Sequence, residues 1–285
     1  MYEDKGVWMI YFSMGYWVLA LAVIVSFAGA ACGLACIRQS AKSVTQKFRM
    51  VWLFVAAVSV GGVGVAMPVF VSMLGFDVRG TQLRYDNLSI TLFSVLSAIT
   101  VFLALLITGK TLVWWRLLVA AAVMAFGFGD VHQLLLGALR IQGTVDRSLV
   151  STVAVYVIAF VLSALTLWFS LWVGSVPMVL VGAVLYAVMV TGMHYAGLTG
   201  LQVHVDPNAP APHGNVLFTF FVPFFIIGTL SLAIPITAIL VAPDRREART
   251  PSRTPEPADV HSTSLQAASQ HAATQPGARR PESVL

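Results

Sequence analysis

Seven stretches of this chain are apolar for about 20 residues or more, and few folds tolerate that. A bilayer core roughly 30 Å thick is crossed by about 20 helical residues. Inside it every backbone N–H and C=O needs a partner within the protein, which a helix supplies from its own turns. The stretches cover about 9–36, 51–75, 89–108, 112–138, 150–172, 177–203 and 216–241. Composition points the same way: 58% of residues are hydrophobic and 10% charged, where a soluble domain has about a quarter charged. The expected fold is therefore all-α, a polytopic protein of the plasma membrane with seven transmembrane helices and the lipid bilayer as its surroundings.

Lysine and arginine set the orientation, because cytoplasmic loops hold an excess of them. With the amino terminus outside, Arg38, Lys42, Lys47, Arg49, Lys110, Arg116 and six arginines beyond residue 241 lie on the inner side. Lys5, Arg79, Arg84, Arg140 and Arg147 lie outside. Twelve against five favours this arrangement, and seven spans then put the carboxyl terminus in the cytoplasm. A pI of 9.5 thus reports topology and a basic tail rather than a nucleic-acid partner. The expected division is an extracytoplasmic segment at 1–8, a membrane domain at 9–241 and a cytoplasmic tail at 242–285. That tail is rich in Pro, Ser, Thr, Ala and Arg and has too few large apolar side chains to fold. The opening "MYEDKGVW" is acidic where a signal peptide is basic, so the first span reads as retained. Cys32 and Cys36 are the only cysteines; four apart on one helix face, in a reducing compartment, they read as packing residues.

Within the spans, "GDVHQLLLG" (Gly129 to Gly137) carries Asp130 and His132 in surroundings otherwise suited to lipid. Ionisable groups at such depth are costly, usually face the bundle interior and often mark function. His194 is the other histidine of the spans, and both belong to a repeat. "GVAMPVFVSMLGF" in the second span, "MAFGFGDVHQLLLGAL" in the fourth and "YAVMVTGMHYAGLTGL" in the sixth align on Pro68, Val131 and Met193, at separations of 63 and 62 residues. Each interval is one pair of helices, so three hairpins are expected to offer equivalent positions to one central site. The topology above places that site toward the outer face.

"Met193-His194-Tyr195-Ala196-Gly197" resembles the signature of the MHYT domain, a bacterial seven-helix sensor module with three such motifs near the outer ends of alternate helices. The resemblance covers about residues 10–241. The third motif departs from the pattern at Leu198, where a second Met is usual. The second keeps His132, with Met124 and Gly127 at matching upstream positions, but has Val131 and Gln133 in place of Met and Tyr. The first takes its register from Gly64 and Met73-Leu74-Gly75-Phe76, which puts Val69 where the histidine would stand.

The resemblance implies copper held by Met and His side chains and the sensing of a small gas such as oxygen, carbon monoxide or nitric oxide. The chemistry is coherent, since imidazole suits copper and thioether sulfur favours Cu(I). It makes His132, His194, Met193, Met73 and Met124 the candidate ligands. Asp130 and Tyr195 become candidates to orient a ligand or carry a proton, and His204 in the outer loop an accessory ligand, with His213 nearby. Asp130 and His132 are two residues apart and point in different directions, so their contact needs a bent helix or a partner from another one.

Blander readings stay open beside this one: histidines hydrogen-bonded to neighbours near the interface, an interfacial Asp130, and methionines that fill the core. A retinal protein is excluded, because Lys5, Lys42, Lys47 and Lys110 all lie outside the spans or at their edges. His132 and His194 could instead ligate one haem. The repeated helix pairs, broken by glycines and Pro68, resemble a transporter or channel in which Asp130 carries a proton or cation. No nucleophile, base or cofactor loop points to an enzyme. MHYT modules pass their signal to a fused cytoplasmic domain; with only the tail here, a separate signalling partner is expected. The function expected is membrane sensing of a gas or of redox state.

Overall fold

The computed structural model describes residues 9–172 and 175–241, so the expected segment 1–8 and the tail 242–285 lie outside the described residues. Seven helices are long and apolar enough to cross a membrane: α1 (Trp17–Lys42), α2 (Gln46–Leu74), α3 (Asn87–Thr108), α4 (Trp114–Ala138), α5 (Leu149–Trp172), α6 (Val176–Leu198) and α7 (Leu217–Val241). The chain is a multi-pass membrane protein. Exposed aromatics mark both ends of the bundle, Tyr16 and Trp17 at one and Trp114, Trp115 and Trp172 at the other, where amphipathic rings suit the headgroup level.

Helices α1 to α6 each pack on their sequence neighbours, and α6 returns to α1, closing a ring of six. α7 lies outside it with most of its surface exposed. The Phe224 ring meets Phe70 at 5.3 Å, and Gly228 faces the Met67 thioether.

α1 and α2 approach each other closely. Gly29 and Gly33 form a small-xxx-small face on α1, and a Cβ on Gly29 would meet the backbone of Gly64 and Ser59. Such faces let backbones touch where lipid offers no hydrophobic drive to associate. The facing part of α2, Val58–Ala66 or "VSVGGVGVA", winds as a π-helix. Pro68 follows it and has no N–H to give the Gly64 carbonyl four residues back. Ser26 of α1 supplies that donor, Oγ to Gly64 O at 2.8 Å. Tyr186 of α6 likewise donates its hydroxyl to Val60 O at 3.1 Å. Neighbouring helices thus satisfy the carbonyls that the irregular winding would leave bare in lipid.

The apolar runs overestimate two helices. Residues 9–36 read as one span, yet the helix begins at Trp17, and Met9–Ile10 (β1) pairs with Asp77–Val78 (β2). Residues 177–203 read as another, yet the helix stops at Leu198, and Leu201–Val205 (β6) pairs with Gly143–Arg147 (β5). Between them Arg84–Tyr85 (β3) pairs with Leu139–Arg140 (β4). Hydropathy alone cannot separate these short apolar strands from the spans they adjoin. All three sheets gather at one end of the bundle, where segments from different helix pairs are tied together. There Asp86 caps α3, its Oδ2 accepting from the Ser89 amide at 2.9 Å. That bond and the Ser89 hydroxyl hold the Asp86 carboxyl below the usual carboxylate range, with Arg140 adding to the effect.

Candidate functional site

His132 and His194 meet inside the bundle just beneath the sheets. His132 lies six residues before the end of α4 and His194 four before the end of α6, about 9 Å and 6 Å along each axis. α5 stands between these helices in the ring, so the rings reach each other across its interior. They pack edge to face with centroids 5.4 Å apart and planes at 69°. Both are buried, at 2% and 1% exposure.

What allows this is Gly197, one turn beyond His194 on the same face of α6. A Cβ there would collide with the His132 ring, so the imidazole lies directly on the α6 backbone. The start of α5 ties the same turn down: the Ser151 hydroxyl donates to the carbonyl of Ala196. Toward the sheet end of the bundle Arg147 donates to Gln133 Oε1 at 3.2 Å.

None of the four ring nitrogens of His132 and His194 makes a hydrogen bond of good geometry, although the His194 backbone lies close to the His132 ring. An imidazole always carries at least one N–H donor and, when neutral, one lone pair. Two such rings buried together without partners differ from the hydrogen-bonded histidines of the blander reading. The Thr191 hydroxyl, one turn before His194, is also buried and unpartnered. The Tyr195 ring stands 5.7 Å from His194 and 5.3 Å from Phe12.

The remaining expected residues fall into three groups. Val69 is buried in an apolar cluster that includes Phe70, Met73, Val131 and Leu198. Among the thioethers, Met73 shares that cluster, while Met193 and Met124 belong to the larger one with Phe128 and Val190. Met124 is eight residues from His132, about 12 Å along the helix, too far to join it at one ion. His204 is exposed on β6, paired with Thr144, and His213 lines an open cleft at the sheet end with Asp86 and Arg140; neither reaches the histidine pair. Among the described residues no three His, Cys, Asp or Glu side chains converge as a metal site. Met193 adjoins His194 in sequence, but successive residues of a helix point in different directions.

Asp130 does not turn toward His132. It is exposed on the lipid-facing side of α4, where its Oδ1 accepts a hydrogen bond from the Tyr156 hydroxyl of α5. Tyr156 carries no local sequence signal, and Gly129 leaves room for its ring beside α4. Thr191 was within reach of sequence reasoning, since it lies three residues before His194 on one helix face.

Searches against protein-family models, the curated proteins and the solved structures find no match to this chain, so the likeness to the MHYT domain rests on its motif residues alone.

Proposed function

We propose that this chain is an MHYT-like membrane sensor whose ligand site is the His132–His194 pair near the outer face, with a soft metal of the copper type as the bound group. The observation that carries the reading is the pair itself: two fully buried imidazoles from different helices, 5.4 Å apart, with all four nitrogens unpartnered. Leaving such groups unsatisfied costs stability in the free protein, and a ligand that engages them recovers it.

The donor set fits copper in its reduced state. Imidazole is a good copper donor and thioether sulfur selects Cu(I), and two imidazoles with at most one or two thioethers are what this end of the bundle offers. When bound, such an ion would supply an open coordination position for a diatomic gas or a one-electron redox change. His132 and His194 would hold it, Gly197 sets the spacing between them, and the apolar cluster that includes Val69 and Leu198 keeps water away.

Signalling would follow from geometry. α4 and α6 are not neighbours in the ring, so a ligand shared by His132 and His194 draws together helices that otherwise pack through α5. A bound state and a free state thereby favour different packings, as a two-state switch requires. A cytoplasmic partner would read that difference. The transporter alternative relied on Asp130 as an intramembrane carrier, and its place on the lipid-facing side beside Tyr156 favours the sensor.

The test is elemental analysis of the purified protein beside a His132→Ala, His194→Ala double variant. Near-stoichiometric copper in the parent and loss in the variant is the expected result. Equal copper in both, or none in either after loading with Cu(I), overturns the metal reading.

A further inference from the structure

Asp130 is an exposed carboxylate on a lipid-facing surface, and the site above does not use it. It lies eight residues before the end of α4 and its partner Tyr156 seven after the start of α5, both about 10–12 Å below the helix ends. That depth is within hydrocarbon. Around it the surface is apolar: Phe126 one turn before it on α4, and Val153, Val157 and Phe160 on α5, are all exposed. The Tyr156 hydroxyl satisfies one carboxylate oxygen, and no lysine or arginine of the described spans shares this depth. The nearest cation is Arg147, whose guanidinium is engaged by Gln133 one turn closer to the end of α4; Arg38, Lys42, Lys47, Arg49 and Arg116 sit at the opposite end of the bundle.

Lipid alone is a poor neighbour for such a group, because carboxylates within the bilayer are found paired or facing water or protein. A second copy of this chain would bring only Arg147, one turn nearer the helix end and already engaged by Gln133; two copies meeting here would set carboxylate against carboxylate. We propose that the α4–α5 face around Asp130 and Tyr156 is a docking surface for a transmembrane helix of a different protein, one that carries a lysine or arginine at the same depth. Tyr156 holds the carboxylate in place, and Phe126, Val153 and Val157 pack beside the incoming helix. Such a partner would supply the signalling connection the sensor reading calls for, yet the surface stands apart from the histidine pair and does not depend on metal there.

The test uses the full chain, donor-labelled, in phosphatidylcholine vesicles with acceptor-labelled single-span helices of leucine and alanine. One helix has a lysine at the depth of Asp130, a second has leucine there, and a third has the lysine moved to the far leaflet. The lysine helix is expected to associate about tenfold more tightly than either control. Asp130→Asn should abolish the preference, Asp130→Glu should keep it and Tyr156→Phe should weaken it. Equal association of all three helices overturns the proposal without any variant of the chain being needed. Energy transfer between two copies of the chain that Asp130→Asn removes also overturns it, in favour of self-association.

Discussion

A buried donor or acceptor without a partner costs about 1–3 kcal/mol, and His132 and His194 leave four nitrogens in that condition. On the proposed reading, their presence makes the metal-free bundle less stable than hydrocarbon would. His194→Leu, nearly equal in volume, is expected to raise the stability of metal-free protein in detergent by about 1 kcal/mol. With Cu(I) present the order should reverse, because only the parent gains from ligation; melting curves with and without copper check both signs. A variant less stable than the parent in both conditions would mean that the histidines are structural. Gly197→Ala is the companion experiment. Its Cβ would strike the His132 ring, at a cost of about 1–3 kcal/mol by overpacking, and copper retention should fall with it. The histidines were legible in the sequence because nothing else in the spans but Asp130 resembles them. The partner of Asp130 was not, because hydropathy and helical spacing describe one helix at a time and Tyr156 belongs to the next.

At the scale of the element, α2 shows how a broken helix is held in lipid. Its glycines and Pro68 can be read in the sequence as an interruption, but not the form it takes, since the π winding depends on donors from α1 and α6. Proline removes the N–H that would serve the Gly64 carbonyl, and Ser26 replaces it. Ser26→Ala should then cost about 1 kcal/mol. In a Pro68→Ala background the restored amide can serve Gly64, so the same substitution should cost less, with a coupling of about 0.5–1 kcal/mol in the double-mutant cycle. The unfolding free energies of the four proteins decide it: additive costs would show that Ser26 does not stand in for the missing amide. Gly29 and Gly33 explain why such a serine can reach, as any larger residue there would hold the two backbones apart.

For the whole molecule, the number of spans and their approximate limits were legible because bilayer thickness imposes a length that composition reveals. The three small sheets were not, because two- and five-residue strands carry too little periodicity to be separated from the spans beside them. They nevertheless give the bundle two unlike ends. One end has long, sheet-tied loops with Arg79, Arg84, Arg140 and Arg147; the other has short turns with Arg38, Lys42, Lys47, Arg49, Lys110 and Arg116. The histidine pair lies under the sheets, so the orientation decides from which side of the membrane a ligand arrives. The excess of basic residues at the other end is our ground for proposing that the sheets lie outside. In a background with Cys32 and Cys36 replaced by alanine, Thr144→Cys on β5 and Val44→Cys in the α1–α2 turn place one exposed thiol at each end. A membrane-impermeant maleimide added to intact cells should label the first and reach the second only after permeabilisation. The reverse pattern would put the site at the cytoplasmic end, where a ligand would have to come from the cell's own interior and Cu(I) would be drawn from reducing cytoplasm rather than from outside.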